Sequence, residues 1–317
     1  MDFICSRSCI LLGAIAVVIS APFADAFAGG MLPSTTGRFQ RLLRSSSHKV
    51  AQSSSTTALN MNKGKLLILG GTGYLGQTVC QKATDKGYTP VSLSRRGLPT
   101  TSSLPSVEYR QGDARQKESI LNVLNDGDFV GIVHCIGLLF DDASGIGNLN
   151  QFVSGSGSLP DADSTYDTIT RLTAFNAIDA AVDYAAASAS GSRILPFCFT
   201  SAAEAGWPEV TGGDFIETLM PEFIHRYMVA KRAVEAKLQS TEGIRPIIVR
   251  PSLIYSMDRP ASLPAVGTFT LLNKIGLPFV DRPVTVDSLA TAIIRAMEDD
   301  SVSGVQRYTQ IDRLGAE

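Results

Sequence analysis

From Lys65 onward, short apolar runs of strand length alternate with longer stretches of helical periodicity. Lys65–Leu69 (KLLIL), Thr89–Ser94, Val107–Gln111, Gly131–Ile136 (GIVHCI), Ile194–Thr200 (ILPFCFT) and Pro246–Arg250 (PIIVR) read as buried strands. A helix follows the first strand to about Lys86. A second spans about Tyr166 to Ala187, with Ile169, Leu172, Phe175, Ile178 and Val182 at helical spacing. A third runs from Pro221 to Gln239, opened by its proline. Strands that are apolar throughout, rather than on alternate residues, need cover on both faces. Strand–helix alternation of this kind predicts an α/β fold with a doubly wound parallel sheet and right-handed crossovers. The remainder, from about residue 251 to 317, is expected to form a small C-terminal substrate lobe.

The first sixty residues follow neither pattern. Cys9–Ala21 is an unbroken run of apolar and small residues behind Arg7, too short to span a bilayer with ease. It ends in Ala24-Asp25-Ala26, so residues 1–26 read as a signal peptide. Residues 27–62 contain no Asp or Glu but carry Arg38, Arg41, Arg44 and Lys49 among serine and threonine runs, which is transit-peptide composition. A signal peptide followed by such a leader, with Phe27 at the junction, resembles the bipartite presequences of algae with secondary plastids. The expected location is therefore the plastid, with a mitochondrial or secretory destination as the alternative. Residues 63–317 would form the folded protein.

Charge and cysteine content narrow the chemistry. The chain of 317 residues carries 28 Lys and Arg against 30 Asp and Glu. Asp2 and Asp25 precede Lys63, as do five of the cations, which leaves 28 acidic against 23 basic residues in the folded part. That balance gives no electrostatic reason to expect nucleic acid as a partner. Cys80, Cys135 and Cys198 are widely spaced, and His48, His134 and His225 show no ligand spacing, so no metal is expected.

The glycines of Gly70-Gly71-Thr72-Gly73-Tyr74-Leu75-Gly76 stand directly after a strand and open a helix. Gly71-x-Gly73-x-x-Gly76 in that setting is the dinucleotide fingerprint of a Rossmann sheet. The missing side chains let backbone approach a pyrophosphate, and helix N–H groups receive it. The second strand ends in Ser94-Arg95-Arg96-Gly97, with no acid where a site for NAD(H) usually places one. Two guanidinium groups there suit a 2′-phosphate, which favours NADP(H) over NAD(H). Asp113, after the third strand, is expected at the adenine edge, and Cys135-Ile136-Gly137 beside the adenosine or its ribose.

Tyr227 and Lys231 stand at i and i+4, on one face of the helix after the fifth strand. A lysine beside a bound ribose can hold its hydroxyls and lower the pKa of a neighbouring phenol, making the tyrosine a proton donor. GGTGYLG, Gly112-Asp113-Ala114, this helix and Arg250-Pro251-Ser252 together resemble the short-chain dehydrogenase/reductase superfamily. Pro283–Ala290 resembles the C-terminal signature of its extended and atypical members. Residues 134–140 and 165–181 are most similar to an atypical branch. That branch holds the NADPH-binding accessory subunit of respiratory complex I and relatives linked to ubiquinone biosynthesis or found in plastids. The resemblance implies Tyr227 as acid and Lys231 on the nicotinamide ribose. It also implies a serine that polarises the substrate carbonyl, yet that position falls on Ala202. Ser201 or Thr200 is left as a substitute, and Ser201 is the candidate third catalytic residue.

Two further segments bear on function. Leu138–Ser164 is a long Gly/Ser-rich connection whose apolar members, Leu138, Leu139, Phe140, Leu149 and Phe152, point to an apolar substrate or a docking surface. Ala261–Phe279 is also apolar, with Lys274 its lone charge, and fits either a lipid-like or quinone-like pocket or ordinary lobe core. The expected function is an NADP(H)-binding oxidoreductase of the plastid acting on an apolar carbonyl or quinone. One alternative is a catalytically silent NADPH-binding accessory or assembly protein of a membrane-associated complex. A weaker one is a sugar-nucleotide epimerase or dehydratase.

Overall fold

The computed structural model describes residues 63–317 apart from 101–102, 139, 142–143, 145–162, 188–193, 259–262 and 317. The two presequence segments lie outside the described residues, as does most of the Leu138–Ser164 connection, Leu149 and Phe152 included.

The chain opens with β1 (Lys65–Leu69), α1 (Tyr74–Asp85), β2 (Thr89–Ser94), β3 (Glu108–Gln111), α2 (Lys117–Leu124) and β4 (Phe129–His134). A π-helical turn, Asp167–Leu172, runs into α3 (Thr173–Ala187), followed by β5 (Leu195–Thr200) and a 3-10 helix, Ala203–Glu209. Then come α4 (Gly213–Thr218), α5 (Glu222–Ser240) and β6 (Ile244–Val249). The C-terminal part holds β7 (Ile254–Tyr255), α6 (Leu263–Lys274), β8 (Val284–Thr285), α7 (Val286–Glu298), β9 (Gly304–Gln306) and α8 (Tyr308–Gly315).

Among the described residues the main sheet has seven strands in the order β3-β2-β1-β4-β5-β6-β9, and every pairing in it is parallel. This is the predicted doubly wound α/β architecture. Strand β1 explains why it holds. Leu66 and Ile68 point to one face, onto the apolar side of α1 and α7, where Val79, Leu289 and Ile293 are buried. Leu67 and Leu69 point to the other, against α2, α3 and α5 through Ile120, Ile178, Val234 and Leu238. Chain order reverses between β1 and β4, which opens a crevice at their carboxyl ends.

Two boundaries differ from the sequence reading in ways that matter. Strand β4 starts at the fully packed Phe129 and stops at His134. Cys135-Ile136-Gly137 therefore lies past the strand, on the crevice lip. The helix expected from Tyr166 opens with a π turn rather than an α turn. Thr165 and Thr168 exchange hydrogen bonds between backbone and hydroxyl at 3.1 Å, which locks the entry. The widened turn seats Tyr166, 2% exposed, edge-on against Tyr227 with ring centroids 5.5 Å apart. At the opposite end of the sheet, Arg245 donates to the carbonyls of Ala296, Met297, Asp299 and Val302. It thereby satisfies the free C-terminal carbonyls of α7.

Candidate functional site

The glycine loop connects β1 to α1. Gly70 sits in the left-handed region at φ 81°, which a residue with a Cβ adopts only under strain. Gly76 is required for space. A Cβ there would stand 2.2 Å from the Gly70 carbonyl oxygen and 2.7 Å from the Gly71 Cα, so the helix can start this close to the strand only with glycine. No side chain caps α1, whose N-cap is Gly73, so its first-turn amides remain for an anion. Gln77 secures the loop by donating to the Thr72 carbonyl at 2.9 Å. Thr72 and Leu75 are buried, while Gly73 and Tyr74 are half-buried. Across the crevice, Cys135 donates its amide to the Leu69 carbonyl at 2.9 Å, and Ile136 faces Gly70. The loop and the Cys135–Gly137 lip are therefore the two walls of one cleft. Burial pushes the Cys135 thiol up to about 12, against a Thr200 hydrogen bond and the Lys231 charge, so it stays protonated.

Arg95 and Arg96 are exposed just past the end of β2. Gly112 joins this edge by donating to the Ser94 carbonyl at 3.1 Å. The Asp113 carboxylate is held in two-pronged fashion by Arg115, whose Nε and Nη2 approach Oδ2 at 2.9 and 2.7 Å. Burial alone would raise its pKa. Hydrogen bonds from Arg115 and the charges of Arg115 and Arg95 outweigh it and hold the carboxyl below its usual range. Asp113 thus acts first as the anchor of a third arginine just past the end of β3. Arg115 was not singled out in the sequence, although an arginine two residues past a strand-end aspartate was the available signal.

Helix α5 brings Tyr227 and Lys231 to the end of β5. Lys231 is 3% exposed and donates to the Thr200 carbonyl at 2.7 Å. Its ammonium lies 4.9 Å from the Phe199 ring centroid and 5.6 Å from that of Tyr227. Burial lowers its pKa to about 8, opposed by Glu235, Glu204 and Cys135. Tyr227 is half-buried, and desolvation pushes its phenol up, with Glu204 and Tyr166 adding to the rise. His134, fully buried beside them, accepts or donates at Nε2 with the Thr173 hydroxyl at 3.0 Å. Burial and the Lys231 charge drop it to about 3, so it is neutral at physiological pH.

Ser201 faces elsewhere. It is 4% exposed and its hydroxyl donates to Glu235 Oε1. Glu235 in turn receives Arg250 Nε at 3.0 Å on Oε1 and Nη2 at 2.6 Å on Oε2. Arg250 also donates to Glu209 at 2.8 Å. Glu235 and Arg250 thus form a buried pair that occupies the serine, with Ala202 next in the chain. Glu235 was not anticipated, although its i+4 spacing from Lys231 on a polar helix face was visible. Glu204 was also not anticipated. It stands on the 3-10 helix, half-buried, with its pKa raised by burial and by Asp281. Trp207 fastens this helix to the C-terminal part by donating Nε1 to the Phe279 carbonyl at 2.9 Å.

Beside the site, α5 and the π turn border an open pocket of about 480 Å³ lined by Asp141, Tyr166, Arg171, Arg226, Val229 and Ala230, among others. Its wall is braced by Arg226, which clamps the buried Asp141 with contacts of 3.1 to 3.3 Å.

An all-parallel sheet in this order, with a glycine cradle at its switch point, defines a dinucleotide-binding domain. Residues 70–300 match the family described as NAD(P)H-binding, and the chain belongs to that family. MIOREX complex component 2 of Saccharomyces cerevisiae is 24% identical over 297 residues, covering 78% of this chain and 98% of its own length. A chloroplastic protein of Arabidopsis thaliana is 27% identical over 279 residues, covering 80% and 77% respectively. The solved structure of ElxO with NADP bound shares the fold at a TM-score of 0.53 and 17% identity, covering 77% of this chain and 96% of that one. The resemblance to short-chain dehydrogenases/reductases thus holds at the level of fold and cofactor domain.

Proposed function

We propose that the protein is an NADP(H)-dependent oxidoreductase of the plastid that reduces an apolar carbonyl or quinone-like substrate. The observation that carries this reading is the buried Lys231 ammonium set beside the half-buried Tyr227 phenol at the carboxyl end of β5. When bound, the nicotinamide supplies a hydride. Lys231, 3% exposed and 5.6 Å from the Tyr227 ring centroid, would hold the ribose hydroxyls. Burial keeps that phenol protonated, which suits donation from its Oη to a carbonyl oxygen in the reducing direction. Arg95 and Arg96, supported by Arg115, would take the 2′-phosphate, and Asp113 and Cys135–Gly137 would border the adenosine. Residues 1–62 would be removed as the signal and transit segments. A chloroplastic relative in Arabidopsis supports that destination.

Two variants test the reading. Tyr227→Phe should abolish NADPH oxidation in the presence of quinones or long-chain aldehydes while leaving NADPH affinity within ~2-fold, since only the proton donor is lost. Full activity in that variant would remove the phenol from the mechanism. Arg95→Ala/Arg96→Ala should weaken NADPH binding by ~10–100-fold, from the loss of charge-assisted contacts of ~1.5–3 kcal/mol, with NADH unaffected. Equal binding of the two cofactors by the unaltered protein would refute the choice of NADP(H).

A second reading is favoured by one observation: the Ser201 hydroxyl is committed to Glu235, and Ala202 occupies the place of the polarising serine. On that reading the protein binds NADPH without turnover, as an accessory or assembly component of a membrane-associated complex. The yeast relative's description as a complex component adds support. Tight NADPH binding with no oxidation by any quinone or aldehyde would select it.

A further inference from the structure

Helix α6 is a largely apolar element whose outward face, Gly267, Thr270, Leu271, Lys274 and Ile275, is exposed among the described residues. Its sequence, LPAVGTFTLLNK, carries a single charge, Lys274 at its C-terminus, and no aspartate or glutamate occurs between Asp258 and Asp281. None of the residues from Val266 to Ile275 is buried. Leu271 is 61% exposed and Ile275 65%, while Val266, Phe269 and Leu272, on the other sides of the helix, are only half-covered. Met257, at 71% exposure, stands shortly before it in the chain. Ordinary surface helices place a polar face toward water and an apolar one on the core. The outward face of this one carries two large apolar residues, Leu271 and Ile275, beside Thr270 and Lys274.

We infer that α6 inserts into the interfacial layer of a lipid bilayer and docks the protein on a membrane. The observations select lipid over a protein groove. The exposed face sets Leu271 and Ile275 beside Thr270 and Lys274, so the apolar side chains would enter the acyl boundary while the hydroxyl and the ammonium stay at the level of the headgroups. An acid-free stretch ending in one exposed lysine matches a lipid surface, because the apolar body enters the acyl boundary while the ammonium reaches the phosphates. At 12 residues, about 18 Å by helical rise, it is too short to cross and lies in the interface. No described helix is long and apolar enough to span. The helix is also tied to the site. Asn273 donates to the Val280 carbonyl at 2.8 Å, folding the following chain back, and Trp207 pins Phe279 to the 3-10 helix that carries Glu204. Docking by α6 therefore brings the crevice beside the bilayer, whatever reaction occurs there.

The test is cosedimentation of the purified full chain with vesicles of phosphatidylcholine mixed with phosphatidylglycerol. Leu271→Glu/Ile275→Glu alters only exposed side chains, so its thermal midpoint should match the parent, and its vesicle affinity should fall by more than ~10-fold. Leu271→Ser/Ile275→Ser, without new charge, should also lose binding, which separates apolar insertion from repulsion. In Leu271→Trp the added indole should shift its emission to the blue on vesicle addition. Binding unchanged in both double variants would overturn the proposal, because the N-terminal run Cys9–Ala21 would then carry it. A chain that ignores vesicles yet forms a dimer broken by the same substitutions would assign α6 to a second copy and overturn it equally.

Discussion

Arg250→Met should be the most damaging single substitution among the polar residues described. In the folded chain Arg250 is 4% exposed and holds Glu235, also 4% exposed, through two short hydrogen bonds. The substitution removes those donors and leaves the carboxylate buried with only the Ser201 hydroxyl. An orphaned buried charge of this kind costs ~3–5 kcal/mol. At ~2–4 °C per kcal/mol for a domain of this size, the thermal midpoint should drop by ~6–20 °C. Glu235→Leu in the same background removes the orphaned charge and should recover most of the loss. A cycle of the two singles and the double, followed by calorimetry or urea melts, should return a coupling of ~2 kcal/mol or more. The exposed Glu209 arm of the network contributes little, because its carboxylate is 54% accessible to water. If Arg250→Met shifts the midpoint by less than ~2 °C, or if the two substitutions simply add, the pair is not the strut described.

Two further outcomes follow from other parts of the fold. Gly76→Ala places a methyl against the Gly70 carbonyl and Gly71 Cα, both backbone, so it should cost ~1–3 kcal/mol or more and abolish NADPH binding, read by thermal shift with and without cofactor. An unchanged midpoint with full binding would show that the loop can open. His134 titrates near 3 when folded and near its ordinary value of about 6.5 when unfolded, so the unfolded chain binds the extra proton between those limits. Stability should therefore fall as pH drops from about 6.5 toward 3, by ~1.4 kcal/mol per pH unit at most. Urea midpoints measured from pH 7 to pH 4 should show this slope, and His134→Gln should flatten it; equal slopes in both proteins would assign the acid sensitivity elsewhere.

The sheet was legible because β1, β4, β5 and β6 are apolar on both faces, and the glycine loop because its glycines follow β1 at fixed spacing. Length and spacing also placed Tyr227 and Lys231 on one helix. What escaped were interactions between segments distant in sequence. Nothing near Ser201 announces that Glu235, 34 residues on, takes its hydroxyl, or that Arg250 holds that carboxylate in turn. The π turn at Asp167–Leu172 was hidden because Ile169 and Leu172 keep a helical rhythm through it; the widening is set by Thr165 and Thr168 and by the Tyr166 ring against Tyr227. The exposure of α6 was equally out of reach. An apolar segment reads alike whether a core or a membrane receives it, and only the fold shows that Leu271 and Ile275 are exposed.

The fate of the serine follows from how α5 is registered on β5. Lys231 and Glu235 are one turn apart on α5 and meet consecutive residues at the strand end: the ammonium takes the Thr200 carbonyl, and the carboxylate takes the Ser201 hydroxyl. Ser201 is fixed from the other side by its amide, which donates to the Val249 carbonyl at 2.8 Å. The contacts that bury Lys231 beside Tyr227 are thus made by the same helix turn that takes Ser201 out of the crevice. Releasing the serine would forfeit its hydrogen bond to the buried Glu235 carboxylate. A serine at position 202 would avoid that conflict, since successive side chains of an extended segment point to opposite sides. The chain has alanine there, with extended backbone at φ −151° and ψ 149°. The site therefore retains a buried lysine and a half-buried phenol while its neighbouring hydroxyl serves the frame, so Tyr227→Phe is the substitution that separates turnover from binding alone.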